Sequence, residues 1–153
     1  SVFVDGSAAL DLGDGWRLGG EGRFGTTRAL AGDRIAGGSR FGSLAFSFDA
    51  SKRGVWQDTD RLGVRVSSPL RVVSGGLNFD LPVSYDYATQ SAVYELRRVS
   101  LAPDGRELMG ELSWFGQAFD GTLAASLFYR SEPDHIRNAA DDGGLMVRWS
   151  RGF

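Results

Sequence analysis

The chain has 153 residues, a formal net charge of −2, 22 glycines, 4 prolines and no cysteine. The length predicts a single domain over residues 1–153, and the lack of cysteine excludes a disulfide or a thiolate metal site. Basic residues are scattered among acidic ones, which argues against a nucleic-acid partner. Apolar runs are too short for a transmembrane helix, whereas transmembrane strands, with only every second residue facing lipid, are compatible with this composition.

Alternation of apolar and polar residues predicts about nine antiparallel strands, each about ten residues long. The first two form a hairpin around Gly13-Asp14-Gly15. Gly75-Gly76 and Pro103-Asp104-Gly105-Arg106 have the composition of turns between later strands. No segment has the period of a helix. The predicted strands cover residues 1–12, 16–27, 40–50, 61–70, 77–87, 94–102, 108–114, 122–130 and 144–153.

Each predicted strand has an apolar face and a polar face, and the polar faces carry full charges of both signs. A packed soluble core would incur several kcal/mol for each unpaired ion, so we expect these residues to line a hydrated lumen. There they would meet a passing polypeptide or a lumenal helix, or form a ladder of ion pairs. The lumen-lining residues predicted in this way are Asp5, Asp11, Arg17, Glu21, Arg23, Asp49, Arg61, Arg65, Asp80, Asp86, Glu111, Arg130 and Arg148.

The apolar faces carry aromatic residues near their ends, as in the girdles of membrane barrels. Strands of about ten residues can also cross a bilayer at a tilt of about 45°. The pattern therefore predicts an antiparallel up-and-down transmembrane β-barrel in a bacterial outer membrane, with outer-membrane lipid as a partner. The alternative is a water-soluble β-sandwich or lipocalin-like barrel, with the charges in bulk water and the apolar faces packed together.

The last strand has an apolar face and ends on an aromatic residue, which is typical of outer-membrane barrels. We expect Leu145, Val147, Trp149 and Phe153 to be the signal that the barrel-assembly machinery binds. With Phe153 in the periplasm, the connections at 29–38, Gly75, Pro103 and 131–142 fall outside the cell. Those at Gly13, 51–59, 88–91 and 116–120 fall inside. An odd strand number then predicts an N-terminally truncated fragment.

Three local patterns suggest chemistry but have simpler explanations. Gly20-Glu21-Gly22-Arg23-Phe24-Gly25 matches a dinucleotide-binding motif but lacks the helix that should follow it. His135, the single histidine, lies in a polar loop without a nucleophile elbow. Asp141-Asp142-Gly143 lacks the spacing of a calcium loop. No catalytic, cofactor or metal site is predicted.

Three stretches resemble the C-terminal β-domain of autotransporters, closest to those of alphaproteobacteria whose passenger is a subtilisin-like serine peptidase. The resemblance implies a twelve-stranded barrel with a lumenal helix that brings an N-terminal passenger to the cell surface. Nine strands would be its last three quarters, without the helix, the first strands or a peptidase. Arg151 stands where the family commonly has an aromatic residue. The stretches are 46–56 continuing into 60–67, 81–87 and 98–107.

These observations predict an outer-membrane translocator domain that anchors and exports its own passenger polypeptide. It would not be an enzyme and would bind no cofactor. An alternative is a small outer-membrane barrel with a structural or adhesive role, using the loops 29–38 and 131–142 for binding. A third interpretation, an outer-membrane lipid-modifying enzyme, would need a Ser/His pair at the rim, for which only His135 is available.

Overall fold

The structure is a computed structural model that describes residues 1–32 and 34–152. Apart from a short 3₁₀ turn at Pro133–His135, the regular structure in these residues is entirely β. The strands form one antiparallel sheet, so the predicted all-β antiparallel class is confirmed. They are β1 (Val2–Gly13), β2 (Trp16–Arg28), β3 (Arg40–Arg53), β4 (Arg61–Asp86), β5 (Ser91–Ser100), β6 (Leu108–Ala118), β7 (Gly121–Ser131) and β8 (Asp142–Ser150).

Seven strands lie side by side in the order β1-β2-β3-β4-β6-β7-β8, and β5 pairs with β4 alone. Each neighbouring pair in this seven-strand region is antiparallel. Two-residue turns join β1 to β2 and β6 to β7, and the other connections are longer. The first part of β4, residues 61–67, pairs with β6, while residues 76–86 pair with β5. β4 is therefore long enough to take two neighbours in succession along one edge.

The prediction of a turn at Gly75-Gly76 is wrong, because both glycines lie inside β4, a continuous strand of 26 residues. The two strands predicted at 61–70 and 77–87 are one strand, and the described residues contain eight strands instead of nine. Gly75 has φ +88°, and a Cβ at this position would overlap the carbonyl oxygen of Arg40. The glycines therefore allow two strand backbones to approach closely inside a continuous ladder.

Residues 76–100 form a hairpin, here called the β4–β5 hairpin, that extends beyond the seven-strand region. Its base is widened by the 29–38 loop, since Ile35 bridges Phe79 and Ala36 N–H donates to the carbonyl of Asn78 at 2.8 Å. The 88–91 connection forms the hairpin tip. It therefore lies at the opposite end of the sheet from the Gly13 turn, not at the same end as predicted.

The predicted alternation between faces matches the register of the seven-strand region. Directly opposite residues in an antiparallel pair point to the same side, and the register of β2 with β3 is unbroken from Trp16↔Lys52 to Arg28↔Arg40. One side of the sheet collects mainly charged, serine and glycine residues, and is called the polar face. The other side collects leucine, valine, phenylalanine and tryptophan, and is called the apolar face.

The sheet has two open edges in the part of the chain described here. β1 pairs only with β2, and β8 pairs only with β7. The predicted closure into a barrel is thus not present among these residues. Because the seven side-by-side strands alternate in direction, β1 and β8 run parallel to each other.

The sheet also lacks a hydrophobic core. Among the described residues no hydrophobic side chain is buried, whereas six polar or charged residues are. Soluble domains show the opposite preference, with aliphatic residues most often inside. Within the described residues, the apolar face is therefore an uncovered surface.

Candidate functional site: the polar face and the apolar face

Eleven of the thirteen charged residues predicted to line a lumen share the polar face. Their grouping follows from register alone, since Asp5 stands opposite Arg23 and Asp49 opposite Arg65, which in turn stands opposite Glu111. Residues far apart in sequence thereby become neighbours. The eleven are Asp5, Asp11, Arg17, Glu21, Arg23, Asp49, Arg61, Arg65, Glu111, Arg130 and Arg148.

Ion pairs cross the polar face between strands. Arg23 Nε donates to Asp5 Oδ1 at 2.5 Å. Arg65 Nη2 donates to Glu21 Oε1 at 2.7 Å and to Ser47 Oγ at 3.0 Å, and this hydroxyl donates to the same carboxylate oxygen at 2.8 Å. The charged side chains are about half exposed, so solvent screens these pairs and their contribution to stability in water is small. The pairs fix register more than they add stability.

A second ionic group lies where β7 and β8 meet the loops. Arg130 binds Asp142 on the opposite strand, and its Nη1 lies 3.7 Å from Glu107 Oε1. The other oxygen of Glu107 accepts the Asp134 N–H at 2.8 Å, and only 7 % of Glu107 is exposed. Arg130, predicted as a lumen residue, therefore also ties the last two strands to the 132–141 loop.

The polar face contains two recesses. The larger, about 690 Å³, is lined by both ion pairs, Asp5–Arg23 and Glu21–Arg65, and by Ser47. The smaller, about 330 Å³, lies among Arg61, Glu111, Ser113, Ser126 and Arg148. Both recesses combine charged groups and hydroxyls with apolar side chains, among them Phe46 and Leu70 in the larger and Trp114 and Phe115 in the smaller.

Asp80 and Asp86, the other two predicted lumen residues, lie in the β4–β5 hairpin and not in the seven-strand region. The hairpin does not separate apolar from charged residues, because Phe79 stands opposite Arg97 and Asp80 opposite Leu96. A register shift between Pro82 and Ser84 contributes to this mixing. The irregular alternation around Arg97-Arg98 predicts a bulge in the later strand, but the extra residue is in β4.

The apolar face is largely exposed or half-exposed, and this includes the described part of the predicted assembly signal. Leu145, Val147 and Trp149 are 71 %, 58 % and 49 % exposed and stand opposite Leu127, Ala125 and Leu123 of β7. Phe153, the fourth residue of that signal, lies outside the described residues. The remaining three form a continuous strip along the open β8 edge.

The tryptophans and tyrosines are segregated to opposite ends of the sheet, which sequence reasoning did not predict. One end, called the tryptophan end, holds the Gly13 turn, the 54–60 turn and the end of β8, and all four tryptophans lie there: Trp16, Trp56, Trp114 and Trp149. Both aromatic types prefer a membrane–water boundary. The opposite, tyrosine end holds Tyr85, Tyr87, Tyr94 and Tyr129.

Asp60, which was not predicted as a functional residue, organises the turn at the tryptophan end. It is fully buried, and its carboxylate accepts hydrogen bonds from the N–H groups of Val55 (2.7 Å) and Trp56 (3.0 Å) and from Trp114 Nε1 (3.1 Å). Burial of the Asp60 carboxyl raises its pKa, but these hydrogen bonds lower it by more, so the pKa lies below its ordinary value. No spacing rule links two residues 54 positions apart, so only tertiary structure reveals this contact.

His135 joins two loops at the tyrosine end. Its Nδ1 accepts the Glu107 N–H at 2.9 Å, and its carbonyl accepts the Gly105 N–H at 3.0 Å. With Nδ1 occupied as an acceptor, the neutral ring carries its hydrogen on Nε2. No serine hydroxyl within the described residues makes a hydrogen bond to this imidazole, so the geometry gives the enzyme hypothesis no support.

Comparison of the chain with protein-family models, with curated proteins and with solved structures gave no match. None of the helical residues described is part of a helix long and apolar enough to span a membrane. Within the same residues no group of three or more His, Asp or Glu side chains is arranged to hold a metal ion.

Proposed function

We propose that this chain is an outer-membrane translocator β-domain of the autotransporter type, which anchors and exports an N-terminal passenger. The observation that carries the proposal is the combination of an uncovered apolar face with no buried hydrophobic side chain among the described residues. In water, such a surface would drive aggregation. In a bilayer, the same surface is the stable one.

The dimensions of the apolar face support lipid contact. On β2 it runs from Trp16 to Thr26, a length of about 34 Å at about 3.4 Å per residue. A strand tilt of about 40° reduces this to roughly 26 Å, close to the apolar band of about 25 Å found on outer-membrane barrels. The tryptophans at one end of the sheet agree with a boundary at that level.

The polar face supports a hydrated interior. In a closed barrel the face opposite the lipid encloses the lumen, and the Asp5–Arg23 and Glu21–Arg65 pairs would then line it. Closure is also required physically, since the open edges of β1 and β8 would leave backbone groups without partners in lipid. Both faces therefore have a role in the same assembly.

The export role is supported further by the resemblance of residues 46–56, 60–67, 81–87 and 98–107 to autotransporter β-domains. The role is physical: a charged, wet route through the barrel carries the passenger outward, and no catalytic residue takes part. The passenger and the barrel-assembly machinery are the proposed partners, together with outer-membrane lipid.

Surface display tests the proposal. The chain, preceded by a secretion signal and a short epitope tag, is expressed in a Gram-negative host, and intact cells are treated with protease. We expect the tag to be cleaved from outside and the domain to migrate faster on a gel before boiling than after. A folded, membrane-inserted domain with an inaccessible tag would contradict the export role but not the proposed membrane barrel.

A second candidate, an adhesive barrel, is favoured by the β4–β5 hairpin. Its tip exposes 50 % of Tyr85 and 85 % of Tyr87, whose rings pack edge to face at 5.1 Å. Exposed tyrosines are common in binding surfaces. The adhesive role predicts that Y85S/Y87S abolishes attachment of expressing cells to host surfaces without changing membrane insertion. Unchanged attachment would remove this candidate.

A further inference from the structure

Two arginines face each other on the apolar face at the tyrosine end. Arg28, the last residue of β2, stands directly opposite Arg40, the first residue of β3. Both are exposed. Like charges directly opposite in a sheet are destabilising, so this arrangement needs a compensating anion.

Neither arginine has such an anion among the described residues, where no ion pair or side-chain hydrogen bond involves Arg28 or Arg40. The carboxylates of the seven-strand region lie on the polar face, on the other side of the sheet. The register adds a third cation nearby, because Gly76 pairs with both Arg40 and Ser100, and Arg98 follows two residues further on the same side. In the hairpin, Asp80 comes two residues beyond the Asn78↔Arg98 pair, further from the two arginines than Arg98.

The arginines also mark the edge of the apolar band. Thr26 and Gly42 form the adjacent pair on the same face, and Phe24 and Leu44 the pair after that. At the other end of the band, the cation Lys52 lies 5.1 Å from the centroid of the Trp16 ring. At the tryptophan end, Lys52 thus lies over an aromatic ring, whereas at the tyrosine end two arginines stand opposite each other.

We propose that Arg28 and Arg40 bind the phosphate groups of an anionic lipid headgroup at the tyrosine-end rim of the apolar face. This inference rests on the proposed membrane role and names the lipid class recognised. Guanidinium groups present a planar fork of donors that matches phosphate in a bidentate manner. A phosphate between the two arginines removes their repulsion, and the attached acyl chains lie along Phe24 and Leu44. Charge and apolar contact therefore favour a lipid over a free anion.

The test uses the full chain in phosphatidylcholine nanodiscs containing a small fraction of fluorescent lipid A, a diphosphorylated lipid. Near an anionic surface each basic residue contributes about 1 kcal/mol, so R28Q/R40Q is expected to weaken lipid A association roughly 30-fold. R28K/R40K keeps the charge, loses the fork and should fall in between. The matched control R97Q/R106Q removes two exposed arginines from the same end but off the apolar face, and should stay within about twofold of wild type.

Two results would overturn the inference: unchanged lipid A association in R28Q/R40Q, or an equal loss in R97Q/R106Q, which would indicate net charge alone. Release of the lipid by millimolar inorganic phosphate would also contradict it, because the site would then be a free-anion site. Insertion into pure phosphatidylcholine nanodiscs is measured in parallel. Failure of the wild-type chain to insert there would contradict the proposed function. Normal insertion without lipid A selectivity would contradict only this inference.

Discussion

The seven-strand region and the β4–β5 hairpin are built from the same alternating sequence pattern, yet only one of them has two distinct faces. In the seven-strand region, Asp49 stands opposite Arg65 and Phe48 opposite Val66, so most opposite residues match in polarity, although Leu44 stands opposite Arg71. In the hairpin, Leu81 stands opposite Glu95 and Asp80 opposite Leu96. Alternation within a strand therefore indicates a strand, but only register between strands creates a face.

The hairpin and the seven-strand region also suit different environments. A hairpin with charges and apolar residues on both sides fits neither lipid nor a dry core, and it is expected to stand in water beyond the tyrosine end. The seven-strand region has one predominantly apolar side. Under the proposed function, the chain holds a portion suited to the bilayer and a portion suited to its exterior.

The largest expected effect comes from a charge on the apolar face. Val64 and Val83 both lie in β4 and are both 49 % exposed, but Val64 is in the seven-strand region and Val83 in the hairpin. An arginine on a lipid-facing surface costs about 2–4 kcal/mol at mid-bilayer and less toward the boundary, and Val64 lies between these depths, so V64R should reduce the heat-modifiable folded band in lipid. V83R should leave it unchanged. Equal behaviour of the two variants would break the comparison.

The join between the two regions is tested at Gly75. Its φ of +88° is strained for any residue with a side chain, and the carbonyl oxygen of Arg40 occupies the space that a Cβ would need. G75A should destabilise the folded form by about 1–3 kcal/mol, measured by urea titration of the folded band. Gly110, where a Cβ meets nothing within 4 Å, is the control, and G110A should behave as wild type.

A smaller difference in stability is expected between mutations in the 54–60 turn and in the tip of the β4–β5 hairpin. Asp60 is fully buried in its turn, whereas Asp86, at the hairpin tip, accepts the Ala88 N–H at 2.8 Å from a partly exposed position. D60N should lower the midpoint of heat-induced unfolding by roughly 5–10 °C, and D86N by much less. A similar shift in both variants would show that burial is not what distinguishes the turns.

The same pair gives a pH dependence. The pKa of both carboxyls is lowered in the folded state, that of Asp86 mainly by the Ala88 N–H. Their contribution is therefore present above the unfolded pKa of about 3.9 and is lost as the pH falls below it. The melting temperature of the wild type should fall when the pH is lowered below about 4. In D60N this fall should be smaller.

The smallest effect is expected from shortening the hairpin. Leu81 and Glu95 stand opposite each other, so residues 82–94 can be replaced by a two-residue Asn-Gly turn. The heat-modifiable band and the unfolding midpoint should stay within error of wild type. Loss of folding would show that the hairpin is part of the seven-strand unit.

Much of the fold was accessible from sequence because the relevant signals are local. Gly13-Asp14-Gly15 predicted the first hairpin, and period-two alternation placed Glu21, Ser47 and Arg65 on the polar side of their strands. The error at Gly75-Gly76 has a physical cause: a glycine pair is compatible both with a turn and with close backbone approach. Which of these occurs depends on whether Arg40 lies alongside.

The amino-acid sequence by itself determined the strands, the chemistry of their two sides and the lack of any helix-forming period, since these depend on neighbours along the chain. Tertiary structure alone decided the rest. It joined two predicted strands into β4 and brought the Asp60 carboxylate into hydrogen-bond contact with Trp114. It also placed Arg28 opposite Arg40, and the tryptophans and tyrosines at opposite ends of the sheet. Each of these depends on which strand lies beside which, and that choice follows from register over the whole sheet.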